Sequence, residues 1–326
     1  MARPQSVQQR IPSGLVWSQD MAGDELKKLV EGQPILSAQP QPPAAASAAQ
    51  GNVQPLRPAN AKAPIANPKD TMLACRYELK YRISESRARA IAQYVRAFIE
   101  PDRYAKLRPR GEYPIVSLYL DSDGFQLARE TWEGKKNRFK LRIRGYSDNP
   151  ESPCFFEVKR RVSNVILKSR ARVQHEDVST ILKTGQIPTG YKTDENALRQ
   201  FLLYVNYVNA KPLVLVRYMR EAYEGDSDNR VRVTFDRQLS YKITREPLIR
   251  LNGTGWQDAR LSFVILEIKF TAHYPAWLSR MVKTFDLKQG AMSKYGSSIQ
   301  LSCAAGFCAP QAYRFGAPQL AGYIHG

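Results

Sequence analysis

Along "RFKLRIRGY", Arg138 to Tyr146, polar and apolar side chains alternate. A period of two puts Lys140, Arg142 and Arg144 on one face of a strand and Phe139, Leu141 and Ile143 on the other. The same alternation returns in "CRYELKYRI", "YPIVSLYLDS", "PCFFEVKRR", "VILKSRARV", "KPLVLVRYMREAYE", "NRVRVTFDRQL" and "LSFVILEIKF". Between these runs the pattern changes to a helical one. "SESRARAIAQYVRAFIE" predicts a helix with Ser84 or Ser86 as N-cap and Pro101 as its stop. "HEDVSTILKTG" and "DENALRQFLLYV" predict two more. "YPAWLSRMVKTFDL" predicts a fourth, opened by Pro275, with Trp277, Leu278, Met281, Val282 and Phe285 as its apolar stripe.

The first 72 residues lack this patterning. "SAQPQPPAAASAAQGNVQPLRPANAKAPIANPKD" is rich in Pro, Ala and Gln, and cannot bury enough apolar surface to offset its ordering entropy. Residues 1–72 are expected to be a disordered tail, with "DELKKLVEGQPIL" as a short helix or a docking motif. Residues 73–301 read as one α+β domain of eight antiparallel strands with flanking helices, and 302–326 as an irregular Gly/Pro/aromatic end.

Charge sharpens the picture. The 326 residues carry 49 Lys and Arg against 30 Asp and Glu, a formal +19, which points to an anionic partner. The basic residues recur on one face of strand after strand: Lys80 and Arg82; Lys140, Arg142 and Arg144; Lys159; Lys168, Arg170 and Arg172; Arg220; Arg230 and Arg232; and Lys269. At ~4 Å and an effective dielectric of ~20, one like-charge contact costs about 4 kcal/mol. A solvated sheet face usually mixes signs. If the helices cover the apolar face, the cations face a lumen. Phosphate oxygens accept charge-assisted hydrogen bonds from Lys and Arg, so a bound polyanion would separate them. A Glu among these cations, such as Glu267, could hold a divalent metal bridging phosphates.

Taken in order, "RYELKY", "VSLYLDS", "KLRIRGY", "FFEVKRR", "VLVRYMREAY", "NRVRVTFD", "VILEIKF" and "MSKYGSS" resemble the successive strands of the VTC domain. That domain, of stand-alone bacterial polyphosphate polymerases among others, belongs to the triphosphate tunnel metalloenzymes. The resemblance implies an eight-stranded antiparallel β-barrel, a triphosphate tunnel that binds ATP and polyphosphate with Mn²⁺ or Mg²⁺. It moves the γ-phosphate of ATP onto a polyphosphate chain. On the family's pattern Arg142, Arg144, Lys159, Arg220 and Arg232 are the catalytic phosphate clamps. Lys80, Lys168, Tyr218, Lys269, Ser293 and Lys294 bind substrate, and Glu267 holds the metal. Ala291 stands where the family tends to place a further lysine.

Two other readings compete. A triphosphatase of the same fold would use water in place of the phosphate acceptor. A barrel that only binds polyphosphate or nucleic acid would need no chemistry. Nucleic-acid barrels stack bases on aromatics between basic residues, and here the aromatics lie mainly on the apolar face, which argues against nucleic acid. No CxxC pair occurs among the four cysteines, which argues against a zinc site or a disulfide framework. No apolar leader and no apolar run long enough to span a bilayer is present, so the expected location is cytoplasmic. A membrane-protein partner would be met through the N-terminal tail.

Overall fold

The computed structural model describes residues 77–162, 165–191, 194–225, 231–270, 274–290 and 292–307. The expected tail, Ala291 and residues 308–326 lie outside them. The strands are β1 (Tyr77–Ile83), β2 (Glu100–Pro101), β3 (Glu112–Asp121), β4 (Arg138–Gly145), β5 (Cys154–Val162), β6 (Val165–Val173), β7 (Lys211–Glu224), β8 (Val231–Ile243), β9 (Gln257–Asp258) and β10 (Val264–Phe270). The helices are α1 (Glu85–Val95), α2 (Arg103–Lys106), α3 (Gln126–Trp132), α4 (Asp177–Thr184), α5 (Glu195–Tyr207), α6 (Ala276–Thr284) and α7 (Lys294–Ala304).

Every strand predicted by alternation forms, and all the pairings are antiparallel. The main path runs β1-β10-β8-β7-β3-β4-β5-β6, with β2 added to β7 and β9 to β8. The sheet curls into a half-barrel. The expected closed barrel is not formed by backbone, because β1 and β6 are the two ends of the path and no ladder joins them among the described residues. Side chains span the opening instead: Lys159 Nζ on β5 lies 2.8 Å from Glu78 Oε2 on β1.

The apolar faces pack as the alternation requires. Tyr81, Ile83, Val231, Val233, Phe235, Leu266 and Ile268 form one core with Ile91 and Val95 of α1 and Trp277, Leu278 and Met281 of α6. Ser84 caps α1 by accepting from Arg87 N at 3.3 Å. The helix ends at Val95, short of Pro101, which instead pairs with β7. On the other side Phe139 and Phe156 pack against Tyr204 and Phe201 of α5, with ring centroids 4.6 and 4.9 Å apart.

One helix breaks the expected pattern. "MSKYGSS" is the start of α7, not a strand. Ser293 caps it by accepting from Gly296 N at 3.0 Å. The Ser298 and Ser302 hydroxyls donate to carbonyls one turn back, at 2.8 and 2.7 Å. Gly296 permits a close approach, since a Cβ there would lie 2.9 Å from Trp132 Nε1. The helix packs on β7 and β8, and Tyr295 stacks on Tyr119 at 4.8 Å. A bulge in the β7–β8 ladder, with Gln238 at φ 53°, prepares this contact. Before it the even-numbered Thr234 and Asp236 share a face, and beyond it Leu239 and Tyr241 join the cluster around Tyr119, Tyr218 and Tyr295. Cys154 is a free buried thiol, and Cys303 is disulfide-bonded, a pairing that the cysteine spacing did not announce. Among the described residues no helix is long and apolar enough to cross a membrane.

Candidate functional site

The concave face of β4 carries Lys140, Arg142 and Arg144, but the three cations differ in their partners. Arg142 Nε donates to Glu157 Oε2 at 2.6 Å and Nη1 to the Tyr119 hydroxyl at 3.3 Å. Glu157 is 1% exposed and is reached as well by Lys168 at 3.0 Å and Arg170 at 3.5 Å. Burial opposes its ionisation, yet Arg142, Lys168, Arg144 and Arg170 hold its carboxyl well below the usual carboxylate range. The cations here are therefore separated by a buried carboxylate, where the charge pattern suggested a bound polyanion in that role.

Arg144 and Lys140 have no carboxylate in contact, and Glu157 acts on Arg144 only from beyond ion-pair distance. Arg144, 5% exposed, donates to Ser117 Oγ at 3.3 Å and to the Tyr218 hydroxyl at 3.5 Å. Lys140 Nζ donates to Ser293 Oγ at 2.8 Å. Among the described residues neither has a carboxylate within 4.0 Å. Burial, then the like charges of Lys80 and Lys159, holds the Lys140 ammonium well below the ordinary lysine range. An ammonium drawn partly out of water beside other cations is costly to keep without a counter-charge in contact. On β4 Lys140 and Arg144 flank the paired Arg142.

A second centre joins β1, β7, β8, β10 and α7. Glu267 stands opposite Lys80 on β1 and Thr234 on β8. Its carboxylate lies 2.9 Å from Lys294 Nζ, 3.3 Å from Lys80, 3.6 Å from Lys269 and 3.8 Å from Arg220. Burial opposes its charge, but Lys294, Lys80, Lys269 and Arg220 hold it well below the usual range. Asp236 is the second anion, gripped two-pronged by Arg220 at 2.6 and 2.7 Å and touched by Lys294 at 2.5 Å. Lys294 thus lies between Asp236 and Glu267, and despite burial these two raise its pKa. Lys269 is pushed down to about 8 by burial, which outweighs the pull of Glu267 and Glu78. Glu78 reaches Lys159 and Lys80, at 2.8 and 3.1 Å.

Of the residues singled out in the sequence, Lys80, Arg142, Arg144, Lys159, Lys168, Tyr218, Arg220, Glu267, Lys269, Ser293 and Lys294 come together in this one channel. The Tyr218 ring underlies Lys294 and Arg220, at 4.9 and 5.3 Å. Arg232 is turned to the edge of the group. Its guanidinium is bonded to Asp102 at 2.6 Å, Glu224 at 2.7 Å and the Tyr113 hydroxyl at 3.2 Å. Asp102 also caps α2 by accepting from Tyr104 N and Ala105 N, so Arg232 ties that turn to β8. Past Arg144 the channel meets a group of stacked rings, Tyr104 on Tyr146 at 5.6 Å with Tyr113 and Phe155 beside them. His175, expected at a helix start, bonds through Nε2 to Ile249 O at 2.9 Å and lies outside the channel.

Sequence reasoning missed Lys140 as the unpaired twin of Arg144, and missed Asp236 altogether. Both sit in alternation with residues that were singled out, Lys140 with Arg142 and Asp236 with Arg232, and that period was the available signal.

A divalent ion would have few protein ligands here. Among the described residues no group of three or more His, Cys, Asp or Glu side chains gathers. Two carboxylates do share Lys294, and the Thr234 hydroxyl beside Glu267, fully buried, has no hydrogen-bond partner. This oxygen set fits an ion that takes one or two carboxylates from the protein and completes its shell with phosphate and water.

Residues 75–303 match the model of the VTC domain. The match covers more than half the chain, and the protein belongs to that family. No curated protein matches it. Three solved structures are similar at low identity. One is a candidate adenylate cyclase from Bacillus halodurans (15% identity, 67% of this chain and 93% of that one, TM-score 0.41). Another is the PH1819 protein from Pyrococcus horikoshii OT3 (13%, 70% and 99%, 0.37). The third is a candidate adenylyl cyclase from Hippeastrum described as having a dominant triphosphatase activity (14%, 72% and 97%, 0.39).

Proposed function

We propose that the channel binds the triphosphate of ATP together with a polyphosphate chain, and that it moves the γ-phosphate onto the chain with release of ADP. The observation that carries this reading is the state of β4: the half-buried Lys140 and the buried Arg144, neither in contact with a carboxylate among the described residues, on either side of a neutralised Arg142. Phosphate oxygens would give both a counter-charge in direct contact. Phosphoryl transfer needs in-line positioning and charge neutralisation, and little covalent chemistry from the protein.

In this scheme Arg144 and Arg142 clamp the phosphates undergoing transfer, and Lys140, Lys159 and Lys168 hold the neighbouring ones. Arg220 and Lys80 keep the Asp236–Glu267 centre in place, and Lys269 and Lys294 add point charges beside it. Glu267, with Asp236, would hold Mn²⁺ or Mg²⁺, which supplies further charge neutralisation at phosphate oxygens when bound. Arg232 supports the edge of the channel through Asp102. The nucleophile is a terminal phosphate oxygen of the chain, so no Ser or Cys nucleophile is required. Incubation with ATP and Mn²⁺, with and without a polyphosphate primer, tests the reading. Long-chain polyphosphate and ADP are expected, and a failure to turn over ATP would refute it.

A further inference from the structure

Asp121, at the end of β3, is a buried carboxylate that the proposed chemistry does not use. It is 0% exposed, and no cation among the described residues lies within 4.0 Å of it. In a chain of net charge +19 that isolation is unexpected. Hydrogen bonds support it instead. Oδ1 accepts from Ser122 N at 2.7 Å and Leu127 N at 2.9 Å, and Oδ2 from Ala128 N at 3.0 Å and from the Tyr295 hydroxyl. Burial raises the pKa of this carboxyl, and the bond from Tyr295 leads those that oppose the rise. A side chain with one acceptor oxygen, such as Asn, caps a helix about as well as Asp. The second oxygen of a carboxylate is the one that takes the Tyr295 hydroxyl. Tyr295 lies in the first turn of α7, next to Lys294. Its ring stacks on Tyr119 at 4.8 Å, and the Tyr119 hydroxyl accepts from Arg142 at 3.3 Å. Successive helix positions diverge by about 100°. With Tyr295 turned toward β3, Lys294 is turned into the channel, 2.5 Å from Asp236 and 2.9 Å from Glu267.

Resting on the functional reading above, we infer that Asp121 and Tyr295 are positioning residues. The bond between them fixes the rotation of α7, and with it the place of the Lys294 ammonium beside the phosphates. Neither side chain has to touch the substrate. The same turn of α7 also leans on Tyr119, so the bond keeps Lys294 in register with the Arg142 clamp on β4. A misplacement of about 1 Å caused by a change away from the chemistry can cost about 10²-fold in rate.

The test titrates tripolyphosphate at one ionic strength into the full chain, its Tyr295→Phe variant, its Lys294→Met variant and the double variant. Tyr295→Phe keeps the ring on Tyr119 and removes only the hydroxyl. It is expected to melt cooperatively and to bind about tenfold more weakly, the worth of one charge-assisted contact. The double variant should bind no more weakly than Lys294→Met alone, because the lost bond acts through Lys294. A merely structural role would not give that dependence: losses that multiply in the double variant would overturn the inference while leaving the functional reading intact. Wild-type affinity in Tyr295→Phe would overturn it too. If Tyr295→Phe does not fold, Asp121→Asn, alone and combined with Lys294→Met, carries the same expectations and the same refutations. Failure of the wild type to bind tripolyphosphate at all would instead remove the functional reading, and this inference with it.

Discussion

The Lys294 ammonium lies 2.5 Å from the Asp236 carboxylate, a contact that ties the first turn of α7 to the middle of β8. Both residues are buried, and Arg220 grips the same carboxylate. Asp236→Ala removes the shared anion and leaves two buried cations with Glu267 alone. Breaking a buried pair in this way costs about 3–5 kcal/mol. A large fall in Tm is expected, and tripolyphosphate should restore more of it than sulfate at equal ionic strength. An unchanged Tm would mean that Asp236 does not hold α7 to the sheet.

Arg142 and Arg144 should separate in their effects. Arg142→Ala removes one partner of the buried Glu157, leaving Lys168 and Arg170, and should lower stability by about 1–3 kcal/mol. Arg144→Ala removes a buried cation bonded to hydroxyls with no carboxylate in contact, and should cost less stability than Arg142→Ala. Both should weaken tripolyphosphate binding. Urea unfolding beside ligand titration makes the comparison, and an Arg144 variant less stable than the Arg142 variant would contradict the assignment.

Lys269 gives the channel a pH dependence. In the free protein burial pushes this amine down to about 8, so it loses its proton as pH rises through that value. A bound phosphate favours the ammonium and raises the pKa, so binding above pH 8 takes up a proton. Affinity for tripolyphosphate should then fall with pH from about 8 upward, by up to about tenfold per unit. Lys269→Arg stays charged and should flatten that step. A step of the same size in the variant would assign it to another group.

Much of the fold was legible because alternation is a local signal. The eight strands of the main path and four of the helices form where period and caps placed them, although α1 ends at Val95, short of the expected stop at Pro101. Helix α3 was not, since it starts at Phe125 in a left-handed conformation and two of its N–H groups are capped by Asp121, which precedes the helix on β3. Helix α7 hid for another reason: it is buried on nearly all sides, so it shows no apolar stripe, and its Ser-rich start resembles a strand. The opening between β1 and β6 depends on curvature, which no single strand reveals. In the site, the cations were legible by period and sign, but their pairing was not. Arg232 bonds Asp102, 130 positions away, and no periodicity foretells that contact.

Glu267→Gln tests the proposed metal role. Gln keeps the size and hydrogen-bonding capacity but gives up the charge that a divalent ion needs. The variant should fold, retain tripolyphosphate binding, and lose turnover by about 10²–10³. Wild-type Mn²⁺ binding, followed directly by calorimetry, should be lost in parallel. Turnover equal to wild type at low Mn²⁺ would remove Glu267 from the site.

In the proposed reaction a phosphate chain, and not water, accepts the γ-phosphate in this channel. Resolving the products of ATP and Mn²⁺ by gel electrophoresis, with free phosphate assayed in the same samples, tests it most directly. The expected result is polyphosphate that lengthens with time, ADP released in step with the phosphate incorporated, and little free phosphate. ADP matched by free phosphate, with no chain formed even from a primer, would contradict the account and make water the acceptor.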